Sequence, residues 1–164
     1  MTKTLYALIT AATAISCFSV LAPADGQVGP PPPQDISQSF VIPAGGVFGE
    51  CAFPVQFDLK GKASQINLPG GRTIVTAPKQ NVTLTNVNDP TKTVTLNITG
   101  ATHQSTASNG DIVTVVTGRN LLGDPDAGFV LAIGSFSFTF DKNGNLVHPL
   151  SGTGQLIKVC PLIS

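Results

Sequence analysis

The fold class is decided by residues 128–141, whose sequence is GFVLAIGSFSFTFD. Phe136, Phe138 and Phe140 occupy alternate positions, and the small polar residues between them share the opposite face. A period of two is that of a β-strand with one buried and one solvated face. Before Gly134 both faces are apolar, so we expect this glycine to mark a β-bulge or a close approach of another backbone.

The same alternation recurs on both sides of this stretch. Further strands are predicted, from alternation or from β-branched composition, at residues 53–60, 82–85, 93–99, 112–117 and 154–159. Short polar turns separate them, among them those at 88–90, 108–111 and 142–145. Gly or Pro interrupts every candidate helix. The sequence therefore predicts an all-β fold, a single antiparallel meander of about eight strands.

The N-terminus has the order of a secretory signal peptide. Lys3 is its only charge, residues 5–21 are largely apolar, and the sequence 22–24 places small residues where signal peptidase cuts. We expect residues 1–24 to be removed, with a cut after Gly26 as the alternative. An uncleaved anchor is disfavoured, because a span needs about 20 strongly apolar residues. No later stretch is apolar enough to cross a membrane.

This segment also sets the expected compartment. A cleaved signal predicts a secreted, extracellular protein, and the alternative is a lipoprotein anchored at Cys17, which ends an imperfect lipoprotein box. Residues 25–36 include four consecutive prolines and are expected to form a stiff, exposed spacer. Residues 37–164 are then the all-β domain, a length that suits one domain.

Two cysteines, Cys51 and Cys160, remain in the exported chain, and they are expected to pair. Free thiols or a metal pair are the rival interpretation, but neither histidine stands at ligand spacing. Cys51 opens the first core strand and Cys160 closes the last, so a disulfide requires the ends of the sheet to meet. A closed or nearly closed barrel meets that requirement and is the leading prediction. A β-sandwich with neighbouring terminal strands meets it equally and is the alternative.

Four segments resemble a family of small secreted β-rich proteins found mainly in actinomycete bacteria. They are LPGGR at 68–72, LNITG at 96–100, VVTGRNLL at 115–122 followed by DP at 124–125, and GTG at 152–154 before Cys160. The resemblance covers most of the mature chain, and TGRNLL with its following DP is the most specific part. It implies export and a β fold. The family has no established activity, so the resemblance implies no catalytic residue.

Composition narrows the classes of partner. Nine basic and nine acidic residues are scattered singly and balance to zero, which disfavours nucleic acid. Tryptophan is absent and the one tyrosine, Tyr6, lies in the signal segment, which disfavours a lectin-like surface built on aromatic rings. The sequence has no phosphate loop, metal motif or nucleophile elbow, so no cofactor is expected.

The polar residues that could form a ligand site are His103, Arg119 and Asp124. Arg119 ends an apolar strand close to Asp124 and could bind an anionic group, although pinning its own loop is the favoured role. His103 with Asp111 could form an acid/base pair, although a solvated histidine is favoured. No catalytic residue is assigned. Asn81 and Asn97 stand in glycosylation sequences that matter only in a eukaryotic host.

Two functional hypotheses follow. The first is a secreted, non-catalytic β module that binds a partner or has a structural role at the envelope or outside the cell. The alternative is a small-ligand-binding barrel, or a barrel enzyme, with its site near Arg119 and His103. A polar cavity containing Arg119 would favour the second. An interior filled by phenylalanines would favour the first.

Overall fold

A computed structural model of the chain describes residues 31–45 and 51–164. The predicted signal peptide (residues 1–24), Cys17 and residues 25–30 of the predicted spacer lie outside the described residues. Within the described ranges, no helix has the length and apolar character that a membrane span requires.

Eleven strands and a short 3-10 helix at Cys160–Leu162 make up the regular structure of the described residues. The strands are β1 Gln34–Asp35, β2 Gln38–Ile42, β3 Val55–Lys60, β4 Lys62–Leu68, β5 Arg72–Thr76, β6 Asn81–Asn86, β7 Thr93–Asn97, β8 Gly100–Thr106, β9 Ile112–Asp124, β10 Gly128–Phe140 and β11 Leu146–Lys158. The all-β class is confirmed. The strands outnumber the predicted eight, because β1, β2, β4, β5 and β8 lack a strict alternation.

The strands form two antiparallel sheets. The larger has the order β1-β4-β5-β8-β9-β10-β11 and the smaller the order β2-β3-β6-β7. The prediction of a closed barrel is wrong, because β1 and β11 lie at opposite edges of the larger sheet and do not pair with each other. The β-sandwich alternative fits. The physical reason is that β3 and β4, β5 and β6, and β7 and β8 are consecutive but belong to different sheets. The chain changes sheet at each of these junctions, so the meander cannot close on itself.

The first hydrophobic core lies between the two sheets. Phe57 of β3 is 1% exposed, and its ring meets that of Phe129 of β10 edge-on with centroids 5.1 Å apart. Leu84 of β6 and Leu131 of β10 belong to the same cluster. Burying a side chain of this size contributes about 1.5–3 kcal/mol, so this core is a main source of stability.

A second core lies on the other face of β9 and β10. It contains Leu122 and Val130, whereas their chain neighbours Leu121 and Leu131 belong to the first core. Successive residues of a strand point to opposite faces, so these strands are buried on both sides here. This arrangement explains why the sequence before Gly134 is apolar at every position.

A row of glycines crosses four neighbouring strands of the larger sheet. The glycines face one another in register, in the order Gly100, Gly118, Gly134 and Gly154. A Cβ atom at Gly134 would lie 2.2 Å from the carbonyl oxygen of Thr153. The backbone of β11 therefore approaches Gly134 so closely that no side chain would fit between the two strands. The predicted close approach at Gly134 is confirmed.

The predicted disulfide is also confirmed. Cys51 and Cys160 are joined with their Cα atoms 5.3 Å apart, and Cys51 is 2% exposed. On either side of Cys160, Val159 and Ile163 are fully buried in the first core. The N–H of Val159 donates to the carbonyl oxygen of Phe129. The disulfide thus links the chain that enters β3 to the chain that leaves β11.

The end of the predicted spacer belongs to the sheet. Residues 31–35 are exposed, as expected, but Gln34 and Asp35 pair with β4. The hydroxyl of Ser64 donates to the carbonyl oxygen of Pro31 over 2.8 Å. Ile36 is buried in the first core. Residues 34–36, which the prediction assigned to the spacer, therefore take part in the described fold.

Candidate functional site

Apolar side chains fill both the core between the two sheets and the second core on the other face of β9 and β10. Phe57 belongs to the first core, and Phe136 and Phe138 belong to the second. Phe53 and Phe140 are partly buried and pack against these clusters. His103, Arg119 and Asp124 belong to neither core. The candidate polar residues therefore lie around a packed interior.

Arg119 is held by the backbone where β7 gives way to β8. Its Nε donates to the carbonyl oxygen of Asn97 over 3.1 Å, and its backbone N–H donates to the carbonyl oxygen of Thr99 over 3.1 Å. Arg119 belongs to the larger sheet and Asn97 ends a strand of the smaller one. The side chain of Arg119 therefore links the two sheets. This is a structural role, as favoured from the sequence, but the acceptor is a backbone carbonyl and not a carboxylate.

Asp124 shapes the turn between β9 and β10. Its Oδ1 accepts hydrogen bonds from the backbone N–H groups of Asp126 and Ala127, over 3.0 and 2.8 Å. This is the Asx-turn pattern, in which a short carboxylate replaces a backbone acceptor. Asp124 and Arg119 lie on one strand, five residues apart, which is about 17 Å in an extended chain. The structure does not bring the two side chains together.

His103 is exposed on β8, between Ile74 of β5 and Val115 of β9. Asp111 lies in the turn beyond the last β8–β9 pair and accepts a hydrogen bond from the side-chain amide of Asn109 over 2.7 Å. At least three residues of strand, about 10 Å, separate His103 from that turn. Val115, the residue that pairs with His103, lies four residues before Arg119 on β9, so His103 and Arg119 are also separated along the sheet. The structure does not bring His103 together with Asp111 or with Arg119.

The surface beside Arg119 carries an open depression of about 370 Å³. Its lining comes from β5, β8, β9 and their junctions: Thr76, Ala77, Pro78, Thr99, Gly100, Ala101, Thr117 and Gly118. The paired residues Gly100 and Gly118 contribute only backbone to this lining, because they carry no side chains. Sequence reasoning missed this feature, since only the sheet register brings these residues together. The available signal was the repeated Thr-Gly dipeptide at 99–100 and 117–118.

Three aspartates have pKa values below the ordinary range: Asp35 ends β1, and Asp89 and Asp141 lie in turns. The pKa of Asp141 is lowered by the hydrogen bond from the side-chain amide of Asn145, together with the backbone N–H of the same residue. Ser37 lowers the pKa of Asp35, and Thr91 that of Asp89, first through the side chain and then through the backbone. These carboxylates stabilise turns. In the described chain no group of three or more His, Cys, Asp or Glu residues could hold a metal ion.

The glycosylation sequences fall on exposed strand ends. Asn81 of β6 lies directly opposite Asn97 of β7. The side chain of Asn97 accepts the backbone N–H of Thr99 over 3.1 Å. Glycosylation of Asn81 or Asn97 stays a prediction that applies only in a eukaryotic host.

The outer strand β11 is open to solvent over much of its length. Every residue from 151 to 158 is exposed, so both faces of this strand reach solvent. β11 pairs with β10 on one side, and no other described strand pairs with it. Comparison with protein-family models, with curated proteins and with solved structures found no match.

Proposed function

We propose that this chain is an exported, non-catalytic β module that acts through its outer surface, at the cell envelope or outside the cell. The observation that carries the proposal is the filled interior. Phe57, Phe136 and Phe138 occupy the cores, while Arg119 and Asp124 are engaged in holding the backbone.

Export is supported by two features besides the signal pattern. Disulfides persist mainly in oxidising compartments, and this fold contains one, between the buried Cys51 before β3 and the partly buried Cys160 after β11. The resemblance of TGRNLL and GTG to a family of small secreted actinomycete proteins also supports export. A disulfide over a 109-residue separation suits a domain that must survive outside the cell.

Export is tested with the full chain, expressed with its own N-terminus in a bacterial host whose medium and envelope can be separated. We expect intact mass to show cleavage after residue 24 or 26, and no alkylation of Cys51 or Cys160 before reduction. Intact chain in the cytoplasm with both Cys51 and Cys160 open to alkylation would overturn the proposal. Cys17→Ala is the companion variant. It should leave localisation unchanged for a cleaved signal, and it should abolish envelope anchoring for a lipoprotein.

The depression beside Arg119 supports one alternative function, the binding of a small ligand. Thr76, Thr99 and Thr117 offer hydroxyl groups around a floor of glycine backbone. A thermal melt of the exported protein against lipids, glycans and cell-wall fragments tests it. A rise in Tm that is lost in Thr117→Val would favour the ligand function. A flat response across the panel would count against it.

A further inference from the structure

Between Pro149 and Lys158, the outer edge of β11 lacks the features that usually prevent edge strands from pairing with another chain. Natural edges are kept short, charged, interrupted by proline or covered. The opposite edge of the sheet follows that rule, since β1 has two residues and comes directly after a proline run. β11 has thirteen residues, and neither a charge nor a proline occurs between Pro149 and Lys158. A long, neutral edge of this kind is a template for another strand.

The sequence of this edge is nearly symmetric about Thr153. Residues 150–156 read LSGTGQL, so Leu150 mirrors Leu156, Ser151 mirrors Gln155, and Gly152 mirrors Gly154. Antiparallel pairing of two identical strands about a twofold axis places residue i opposite its mirror residue in the second copy. Leucine then faces leucine and polar faces polar. The one lysine, Lys158, faces His148 of the second copy.

The glycines in this pattern have a separate cause. A Cβ atom at Gly152 would lie 2.1 Å from the carbonyl oxygen of Ser135, and one at Gly154 would lie 2.1 Å from that of Ile133. The close contact with β10 therefore requires glycine at both positions. The features that favour symmetric pairing are therefore the leucine pair, the Ser151–Gln155 pair and the absence of charge.

The leucines connect this edge to the second core. Leu150 packs against that core, and Leu156 lies opposite Ala132, which is one of its buried members. These contacts put Leu150 and Leu156 on the same face of the sheet, yet Leu156 is 48% exposed. In the symmetric pairing, Leu150 of the second copy would cover Leu156. The second core would then continue across the interface.

We propose that β11 pairs antiparallel with β11 of a second copy of this chain, about a twofold axis at Thr153. The pairing joins the two seven-stranded sheets into one continuous sheet and covers Leu156 on both copies. The inference names a first partner for the outer surface and so rests on the proposed function. It concerns association alone: a monomer found in the medium would overturn the dimer and leave export intact.

The register is tested by engineered cysteines in the exported protein, held in a glutathione redox buffer. Paired residues on the axis have Cα atoms about 4.5–5.5 Å apart, so Thr153→Cys should give a covalent dimer on a non-reducing gel. Ser151→Cys is the matched control on the same face. Its two copies would lie about 13 Å apart along the strand, beyond the reach of a disulfide. No covalent dimer with Thr153→Cys, or equal amounts with both variants, would overturn the proposed register.

Association itself is tested by sedimentation over a range of concentrations. Leu156→Lys should raise the dimer dissociation constant about tenfold or more, because a lysine would replace the apolar contact with Leu150 of the second copy. Leu162→Lys is the control, since Leu162 is 49% exposed and lies outside β11. Unchanged Tm and an intact native disulfide in both variants confirm folding. A wild-type monomer at all concentrations, or equal behaviour of the two variants, would overturn the dimer.

Discussion

Gly134 on β10 lies directly opposite Gly154 on β11, and each strand fills the space that a side chain on the other would need. A Cβ atom at Gly154 would lie 2.1 Å from the carbonyl oxygen of Ile133 and 2.9 Å from the Cα of Gly134. Both glycines have positive φ, +139° and +140°. The pair therefore fixes how closely the outer strand approaches the rest of the sheet.

The first prediction is that Gly134→Ala and Gly154→Ala each destabilise the fold by about 3 kcal/mol or more, because the obstructing atoms are backbone and cannot rotate away. Urea unfolding measures the loss. Gly144→Ala is the control for the cost of positive φ alone. Gly144 has φ +83° but nothing within 4 Å of its added Cβ, so it should lose about 1–2 kcal/mol. Equal losses at all three positions would show that close approach does not matter.

The second prediction concerns the tie between the sheets. Arg119→Ala removes the Nε hydrogen bond to the carbonyl oxygen of Asn97, a charge-assisted contact between residues of different sheets. We expect a loss of about 1.5–3 kcal/mol in the free energy of unfolding. Arg72→Ala is the matched control. Its Nε reaches only the carbonyl oxygen of Pro69, three residues away and over 3.3 Å, so it joins no distant segments and the loss should stay within about 0.5 kcal/mol. Similar losses for both variants would contradict the tie.

The third prediction concerns a buried amide beside the sheet junction at Gly61. Gln80 is 2% exposed, and its Nε2 is the one buried side-chain polar atom without a hydrogen-bond partner in the described chain. An unsatisfied buried donor costs about 1–3 kcal/mol. Gln80→Met keeps the length and removes the donor, so Tm should rise. Gln80→Ala should lower Tm, because it leaves a cavity. A lower Tm for the methionine variant would show that the amide is satisfied in solution.

The sequence predicts those parts of the fold that depend on local pattern. Alternation found the phenylalanine face of β10, and the apolar run before Gly134 indicated burial on both sides. The points at which the chain passes from one sheet to the other were not predictable, because they depend on contacts between residues far apart in the chain. At the junction of β3 and β4, for example, a Cβ atom on Gly61 would lie 2.9 Å from the Cα of Gln80. β11 begins at Leu146 rather than at the predicted residue 154. Pro149 interrupts the strand pattern in the sequence, but an outer strand tolerates a proline.

The candidate site was less predictable than the fold. His103, Arg119 and Asp124 were selected by residue type, and two of them bond to backbone groups that no pattern reveals. Arg119 is 22 residues from its acceptor in the chain. The depression and the free edge of β11 arise from strand order. Strand order follows from tertiary packing, which local periodicity does not encode.

The fourth prediction concerns the pH dependence of stability through the turn between β10 and β11. Hydrogen bonds from Asn145 and Asn143 lower the pKa of Asp141 in the folded state below its ordinary value of 3.8. A lowered folded pKa means that the charged carboxylate stabilises the fold above pH 3.8, and that this stability is lost as pH falls through the folded pKa. Asp141→Ala should therefore be less stable than wild type at neutral pH, and the difference should shrink in acid.

The matched variant for this turn is Asp141→Asn, which keeps an oxygen acceptor for the N–H groups of Asn143 and Asn145 but cannot ionise. Its stability relative to wild type should fall between those of wild type and the alanine variant at neutral pH. The acid-dependent part of the difference between wild type and Asp141→Asn then isolates the charge. Urea midpoints measured from pH 7 to pH 2.5 give this comparison. A constant difference between wild type and both variants across that range would show that the turn is held by geometry alone, with no contribution from the ionised carboxylate.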